Sequence, residues 1–212
     1  MLKRAIIYIS APLLLFLSTS YANTIYVKGG AKVGGTGSQA QPFNSLKQAE
    51  KASQEGDTIT ILPSETILQY GIVLKNKQIL SGDAKVYCHP HKPFSCEIKG
   101  GKAKITSQSG NAVTLANNNI VTGITIVKPA GYGIYGKNIK NSTVHNNIIQ
   151  GANAGAMTQN TVIPSPEFRG FFITHVGEKA RPASKIFLRG AIGFLGDGNV
   201  DLGNLNVQNN LV

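Results

Sequence analysis

Short runs in which apolar and polar residues alternate recur along this chain, and Gly or Asn bounds most of them. Alternation with a period of two is typical of strands that bury one face, and the abundant Ile, Val and Thr also favour strands. From residue 71 onward, helical patterns do not separate these runs, so the strands there must pair in parallel through coiling of the chain. The runs predict strands at residues 24–27, 57–63, 71–74, 78–80, 103–106, 112–115, 120–126, 133–135 and 142–149.

One pattern returns near the end of the chain. The segment 143–149, TVHNNII, reappears as 206–212, NVQNNLV, and a related pattern at 121–126 precedes the first copy at an offset of 23. We interpret the longer separation, between Val144 and Val207, as three coils of about 21 residues each. The sequence therefore predicts an all-β solenoid of about seven coils over residues 58–212. Asn residues at one corner of successive coils are expected to stack and exchange amide hydrogen bonds.

A short helical pattern precedes the coils. It runs from Ser45 to Ser53, with Asn44 as the expected N-cap and Gly56 as the residue that ends the helix. Residues 23–57 are thus predicted to form a strand, a Gly-rich loop and a helix that caps the open end of the solenoid. The Gly-rich loop lacks the Gly-Lys-Ser/Thr ending of a phosphate-binding loop, so the sequence does not predict nucleotide binding there.

The first 22 residues have the features of a signal peptide. Lys3 and Arg4 precede an apolar run at 6–17, and residues 20–22 offer a cleavage site of the small-x-small type. A membrane-spanning helix needs about 20 apolar residues, and neither this run nor any later segment meets that requirement. We therefore predict an exported protein, periplasmic, secreted or at the cell surface, without a transmembrane segment.

The charge of the chain is strongly basic. The formal net charge is +11 at pH 7, and loss of Lys3 and Arg4 with the signal peptide would leave +9. A basic surface attracts polyanions. For an exported protein these are acidic polysaccharide, lipopolysaccharide or anionic lipid rather than nucleic acid. Because the lysines are scattered singly, the charge has a second interpretation, in which it only keeps the protein soluble.

The two cysteines, Cys88 and Cys96, flank a short loop that contains two prolines. In an oxidising compartment such a pair indicates a disulfide. The alternative is a metal site, because His89 and His91 follow Cys88 closely. A structural zinc site needs four ligands at regular spacings, which this segment does not supply. We predict the disulfide and no bound metal.

Several segments together resemble right-handed parallel β-helix proteins of the pectin-lyase-like superfamily. The segments are PFNSL at 42–46, GDTI at 56–59, QILSG at 78–82 and GNAV at 110–113, followed by the coil motifs around Val121, Val144 and Val207. Members of that superfamily include polysaccharide lyases, glycoside hydrolases, pectin methylesterases, epimerases, phage tailspikes and adhesin passengers. The resemblance covers most of residues 24–212 and implies the fold, while it leaves the activity open. Because the last motif stops in mid-coil, we expect further coils or a partner chain at that edge.

The sequence has no clear catalytic constellation. A glycoside hydrolase needs paired carboxylates, and the carboxylate signatures of polygalacturonase-like members are missing among the ten acidic residues. A methylesterase is equally unsupported. A polysaccharide lyase acting on an acidic glycan stays the alternative. Its candidate bases are Lys128, Lys137, Lys140, Arg169, Arg181 and Arg189. Such a lyase often uses calcium, although no acidic cluster is evident to bind it, and otherwise we predict no cofactor.

Aromatic and polar residues suggest binding instead. Tyr132 and Tyr135 lie among glycines and can stack against sugars, although tyrosine is also common in strands. His145 lies in the repeat where Gln208 is its counterpart, which predicts an outward-facing strand position. Arg169 belongs to a predicted loop excursion near residues 161–185, and loops on solenoids often carry binding residues.

The leading hypothesis is therefore an exported β-helix domain that binds carbohydrate or mediates a surface interaction. Its expected partner is a polysaccharide or a cell-surface glycan, and nucleic acid is not expected. The candidate binding residues are Tyr132, Tyr135, Lys137, Lys140, His145 and Arg169.

Overall fold

The computed structural model describes residues 22–88, 96–152, 171–173, 191–195, 204–208 and 210–212. In this part the chain forms strands and one short helix. The elements are β1 (Thr24–Val27), α1 (Leu46–Ala52), β2 (Thr58–Ile61), β3 (Ile72–Val73), β4 (Ile79–Ser81), β5 (Lys85–Cys88), β6 (Cys96–Lys99), β7 (Lys104–Ile105), β8 (Val113–Leu115), β9 (Ile120–Thr122), β10 (Thr125–Val127), β11 (Ile134–Lys137), β12 (Thr143–His145), β13 (Ile148–Gln150), β14 (Phe171–Ile173), β15 (Ile192–Leu195) and β16 (Asn206–Gln208).

Three parallel sheets contain all of the strands except β5 and β6. Sheet A has the order β1-β2-β4-β9-β12-β16, sheet B the order β7-β10-β13, and sheet C the order β3-β8-β11-β15-β14. The chain enters the sheets in rotation, because β9, β10 and β11 lie in A, B and C, and β12 and β13 return to A and B. The fold is thus predominantly β with parallel sheets, as predicted, and it is compatible with a solenoid.

The pairing register corrects the interpretation of the repeat. Val121 pairs with Val144, so the offset of 23 does separate neighbouring strands of sheet A. However, Val144 pairs directly with Val207, so the longer separation is one step between neighbours and not three coils. Equivalent positions in the successive strands of sheet A are 24, 58, 79, 120, 143 and 206. The sequence separations between neighbours in this series are 34, 21, 41, 23 and 63 residues. Regular coils of 21 to 23 residues therefore describe only the second and fourth of these steps.

One contiguous core lies between the three sheets. Most strands of the three sheets contribute inward residues, chiefly Ile, Val or Leu, that are almost wholly buried, so the alternating pattern of the sequence corresponds to inward and outward positions. Burial of each such side chain stabilises the fold by about 1.5–3 kcal/mol. The inward residues include Ile59, Leu80, Val121 and Val144 in sheet A, Ile105, Ile126 and Ile149 in sheet B, and Ile72, Val113, Ile134 and Ile192 in sheet C.

Sharp corners divide two of the predicted strands. The run 120–126 is broken at Gly123, which has a φ of 71°, and the run 142–149 is broken at Asn146, which has a φ of 56°. Only glycine and, less readily, asparagine adopt this left-handed conformation without strain. Each run is therefore two short strands, one in sheet A and one in sheet B.

Asparagines stack at this corner as predicted. Asn147 Nδ2 donates to Asn210 Oδ1 at 3.0 Å and to the Val121 carbonyl at 3.0 Å. Its Oδ1 accepts a hydrogen bond from the Ile124 amide at 3.2 Å. Asn147 is fully buried, and these bonds supply partners for backbone groups that leave the sheets at the bend.

The helix α1 lies at the edges of sheets A and C, where it contacts β1 and β3. Glu50 Oε2 accepts a hydrogen bond from the Val73 amide at 2.9 Å, which satisfies a donor of an edge strand. The predicted helix boundaries need correction. Ser45, and not Asn44, is the N-cap, because its Oγ accepts from the Gln48 amide. The helix ends with Ser53 as C-cap, whereas Gly56 lies in the turn that follows.

A hairpin that the sequence did not predict covers the outward side of sheet B. It consists of β5 and β6, which pair antiparallel and place Cys88 opposite Cys96. Val86 packs with Ile148 in a second apolar cluster, which Cys96 and Leu211 border. Because Ile149 and not Ile148 belongs to the main core, this cluster lies on the outer side of β13. The long connection between β4 and β9 of sheet A thus contains a folded cover.

Within the described ranges we find no helix of the length and apolar character needed to span a membrane, and α1 has only seven residues. Three predicted features lie outside the described residues: the signal peptide apart from Ala22, the His89 and His91 pair, and most of the loop excursion. Within the excursion, residues 171–173 form β14, which pairs in parallel with β15.

Candidate functional site

The strand β11 places two of the predicted binding residues on one surface. Ile134 and Gly136 are buried, whereas Tyr135 is partly exposed and Lys137 is exposed. Alternate residues of a strand point to opposite sides, so Tyr135 and Lys137 both lie on the outward side of sheet C. Ile134 pairs with buried residues of β8 and β15, which fixes this orientation.

Tyr132 completes an aromatic pair with Tyr135. Their ring centroids are 5.1 Å apart and the ring planes are inclined by 30°, within the range of offset stacking. The Tyr132 amide donates to Asn111 Oδ1 at 2.9 Å, which anchors the chain just before β11. The Tyr132 ring lies against Gly193 of β15, where a Cβ would come within 2.5 Å of Tyr132 Cε1. The pair thus depends on the absence of a side chain at Gly193.

Two further apolar residues extend this surface toward the helix α1. Tyr70 and Val73 are 54% and 51% exposed. Val73 pairs with Thr114, which in turn pairs with Tyr135, so the three share the outward row of sheet C. We call the surface formed by Tyr70, Val73, Thr114, Tyr132, Tyr135 and Lys137 the aromatic face.

Tyr70 and Tyr132 occupy equivalent positions. Each lies two residues before an inward isoleucine, and those isoleucines, Ile72 and Ile134, both pair with Val113. Neighbouring strands are about 4.8 Å apart, so the backbones at the two tyrosines are separated by about 9.6 Å across the sheet. Sequence reasoning missed Tyr70 and Val73. The signal was present, because Tyr-Gly-Ile occurs at 70–72 and again at 132–134.

The electrostatic environment keeps both tyrosine hydroxyls protonated. Burial, and secondarily the neighbouring Tyr135, raises the pKa of Tyr132 above its ordinary value. Burial also raises the pKa of Tyr135. At neutral pH both groups are therefore uncharged hydrogen-bond donors and not bases, while Lys137 contributes a positive charge at the edge of the face.

The remaining predicted residues lie elsewhere. Lys140 is exposed in the turn between β11 and β12, where its amide donates to Asn117 Oδ1 at 2.8 Å. His145 lies on the outward side of sheet A, because its neighbour Val144 is buried. The His145 Nδ1 atom is 2.9 Å from Asn146 Nδ2, a donor. Arg169 lies outside the described residues. The structure thus brings Tyr132, Tyr135 and Lys137 together and separates His145 from them.

The outward side of sheet A is polar. Thr60 Oγ1 and Ser81 Oγ are 3.0 Å apart, and the next two residues of the same row, Thr122 and His145, approach to 3.3 Å between Oγ1 and Nδ1. These hydroxyl groups are largely engaged with one another. Sheet B is covered by the hairpin, so among the described residues sheet C provides the open aromatic surface.

The described part of the chain contains no set of side chains that could bind a metal ion. No group of three or more His, Cys, Asp or Glu side chains is placed there to hold an ion. The aromatic face has stacking surfaces, hydroxyl groups and one cation, and these groups can bind a polar ligand with apolar faces.

Comparison of the chain with protein-family models, with curated proteins and with solved structures finds no match. The resemblance to the pectin-lyase-like superfamily therefore depends on the sequence segments given above and stays a prediction.

Proposed function

We propose that this chain is an exported right-handed parallel β-helix whose aromatic face binds carbohydrate without cleaving it. The rotation of the chain through three parallel sheets supports the β-helix, since each full turn would add one strand to each sheet. The proposed partner is a polysaccharide or a cell-surface glycan.

The stacked pair of Tyr132 and Tyr135 carries the proposal. The pair lies on an outward sheet surface and not in the core, although its rings are only partly exposed. Sugar rings have apolar faces that pack on aromatic rings, and their hydroxyl groups form hydrogen bonds with polar side chains nearby. Thr114 and the tyrosine hydroxyl groups supply such partners.

The neighbouring charge favours an acidic glycan. Lys137 is exposed on the same side of β11 as Tyr135. Its ammonium group can pair with the carboxylate of a uronic acid, and the basic chain as a whole attracts polyanions. Among the described residues the aromatic face contains no histidine and no carboxylate, and both tyrosines stay protonated, so the chemistry of the face fits binding better than turnover.

The test is binding of the chain that begins at Asn23 to a panel of neutral and uronate polysaccharides. We expect Tyr132→Ala/Tyr135→Ala to weaken binding at least about tenfold, since two stacking contacts and their buried area are lost. Tyr87→Ala is the matched control, because Tyr87 is 52% exposed on the hairpin, away from sheet C. Equal affinity of the double variant and the control would overturn the proposal.

A catalytic outcome is measured in the same samples. A polysaccharide lyase creates unsaturated sugar ends that absorb in the ultraviolet. If the purified chain produces such ends from a uronate polymer, and Lys137→Gln or Lys140→Gln abolishes them, the non-catalytic proposal fails and the lyase alternative replaces it.

A further inference from the structure

A groove at the N-terminal end of the described chain is separate from the aromatic face. It has a volume of about 510 Å³ and lies between the Gly-rich loop that follows β1 and the residue after β2. This volume is in the range of small-molecule sites. Its lining includes Lys28, Lys32, Gln41 and Leu62.

Backbone hydrogen bonds hold the groove in shape. The Gln41 carbonyl accepts from the amides of Thr36 at 2.9 Å and Gly37 at 3.0 Å. Ser64 Oγ donates to the Gly29 carbonyl at 2.7 Å, which ties the base of the loop to the segment after β2. Gly35 lies so close to the next segment that a Cβ would be 2.1 Å from the Pro42 carbonyl oxygen. The groove is therefore formed by fixed backbone.

The groove has positive charge without compensation. Lys28 and Lys32 are both exposed, and in the described part of the chain neither forms an ion pair. None of the lining residues is acidic. Glu65 is the carboxylate that follows Leu62 most closely in sequence, and it forms an ion pair elsewhere, with 2.7 Å between Glu65 Oε1 and Lys102 Nζ.

Backbone N–H groups without a protein acceptor among the described residues add to the positive potential of the groove. The amides of residues 32–35, all of which line the groove, donate to no protein acceptor within the described residues. Successive backbone amides next to cationic side chains are the groups that bind oxyanions in proteins. Gly34, with a φ of 88°, lets the loop turn within this stretch.

We propose that the N-terminal groove binds an oxyanion, the carboxylate, sulfate or phosphate group of an acidic ligand, through Lys28, Lys32 and the amides of residues 32–35. This site does not depend on the aromatic face. Its ligand is either a free oxyanion or a charged substituent of a glycan, and the experiment distinguishes the two.

The experiment is a titration of the ¹⁵N-labelled chain, beginning at Asn23, at constant ionic strength. The probes are inorganic phosphate, an oligogalacturonate and an uncharged oligosaccharide. We expect the amide resonances of residues 32–35 to shift with a charged probe and not with the neutral one. A response to phosphate indicates a free oxyanion, and a response to the oligogalacturonate alone indicates a glycan substituent.

Variants separate this site from the general charge of the chain. Lys28→Gln/Lys32→Gln should raise the dissociation constant about tenfold or more, because two charge-assisted contacts are lost. Lys51→Gln/Lys85→Gln, which removes two exposed lysines elsewhere, should leave the shifts of residues 32–35 unchanged. An equal loss in the Lys51/Lys85 control, or no shift at residues 32–35, would overturn the proposal.

Discussion

The ring of Tyr132 lies against Gly193, a residue from a distant part of the sequence that belongs to the next strand of sheet C. A Cβ atom on Gly193 would lie 2.5 Å from Tyr132 Cε1 and 2.8 Å from Tyr132 Cδ1. Glycine is therefore required there for space. Its backbone is not in the left-handed region, so alanine would fit the main chain.

Substitution Gly193→Ala should displace the Tyr132 ring and weaken its stacking on Tyr135. Since aromatic pairs contribute about 0.5–1.5 kcal/mol, we expect glycan affinity to fall about twofold to tenfold. Near-ultraviolet circular dichroism reports the stack, and equilibrium binding reports the affinity. In a Tyr132→Ala background the same substitution should have no further effect on binding. A similar loss in both backgrounds would contradict the role assigned to Gly193.

Tyr132 and Tyr135 should lose their hydroxyl protons at a higher pH than an ordinary tyrosine, and this deprotonation should destabilise the fold. Burial raises the pKa of Tyr132 and of Tyr135 above the ordinary value of 10.0. A raised tyrosine pKa means that the fold favours the neutral form. Its stabilisation is therefore complete below about pH 10 and is lost as the pH rises through the folded pKa. Glycan binding should stay constant from pH 7 to about 9, where both hydroxyl groups are protonated.

Spectrophotometric titration of tyrosinate absorbance measures this directly. The wild-type curve should contain a component above pH 10 that disappears in Tyr132→Phe/Tyr135→Phe. If the double variant keeps the component above pH 10, the tyrosines with raised pKa values are others. The protonation argument for the aromatic face then does not hold.

The inward positions of the fold were predictable from the sequence, whereas the neighbours of each strand were not. Alternation of apolar and polar residues identifies Val121, Val144 and Val207 as inward, because a period of two assigns every second residue to one side. It does not tell how much chain separates adjacent strands. Insertions that leave at a corner do not disturb the pairing, so Val144 pairs directly with Val207 although a regular period would place further strands between them.

The candidate site was predictable in part for the same reason. Tyr132 and Tyr135 are close in sequence, so local spacing brought them together. Tyr70 reaches the same surface only because β3 and β11 both pair with β8. The hairpin over sheet B was missed because its buried side contributes few apolar residues, chiefly Val86 and Cys96, which form no long alternating run.

The buried asparagine at the corner of sheets A and B should be essential for stability. Asn147→Ala would remove the partner of the Ile124 amide at 3.2 Å and that of the Val121 carbonyl at 3.0 Å. Each buried polar group left without a partner costs about 1–3 kcal/mol, so we expect the loss of both partners to lower the free energy of unfolding by about 2–6 kcal/mol. Urea denaturation measures this loss.

Two variants make the asparagine test specific. Asn147→Asp keeps an acceptor for the Ile124 amide but removes both donated bonds, and it should also be destabilising because the site is buried. Gln150→Ala, an exposed position at the end of the next strand, should change stability by less than about 0.5 kcal/mol. An Asn147→Ala protein as stable as Gln150→Ala would show that water replaces the amide.

The two cysteines should form a disulfide that fixes the hairpin over sheet B. Cys88 and Cys96 are directly opposite in the antiparallel pair. Opposite residues in such a pair have Cα atoms about 4.5–5.5 Å apart, and a disulfide needs about 4.4–6.8 Å. The protein denatured without reductant should therefore take up no alkylating reagent, and after reduction it should take up two equivalents by mass spectrometry.

Loss of this bond should loosen the cover without unfolding the sheets. The hairpin holds Val86 against Ile148, and a bond that closes so short a loop contributes about 2–3 kcal/mol. In Cys88→Ser/Cys96→Ser we expect faster hydrogen exchange at the amides of β5 and β6, with little change in β9 and β12. Two reactive thiols in the unreduced protein, or an exchange pattern identical to the wild type, would show that packing alone holds the hairpin in place.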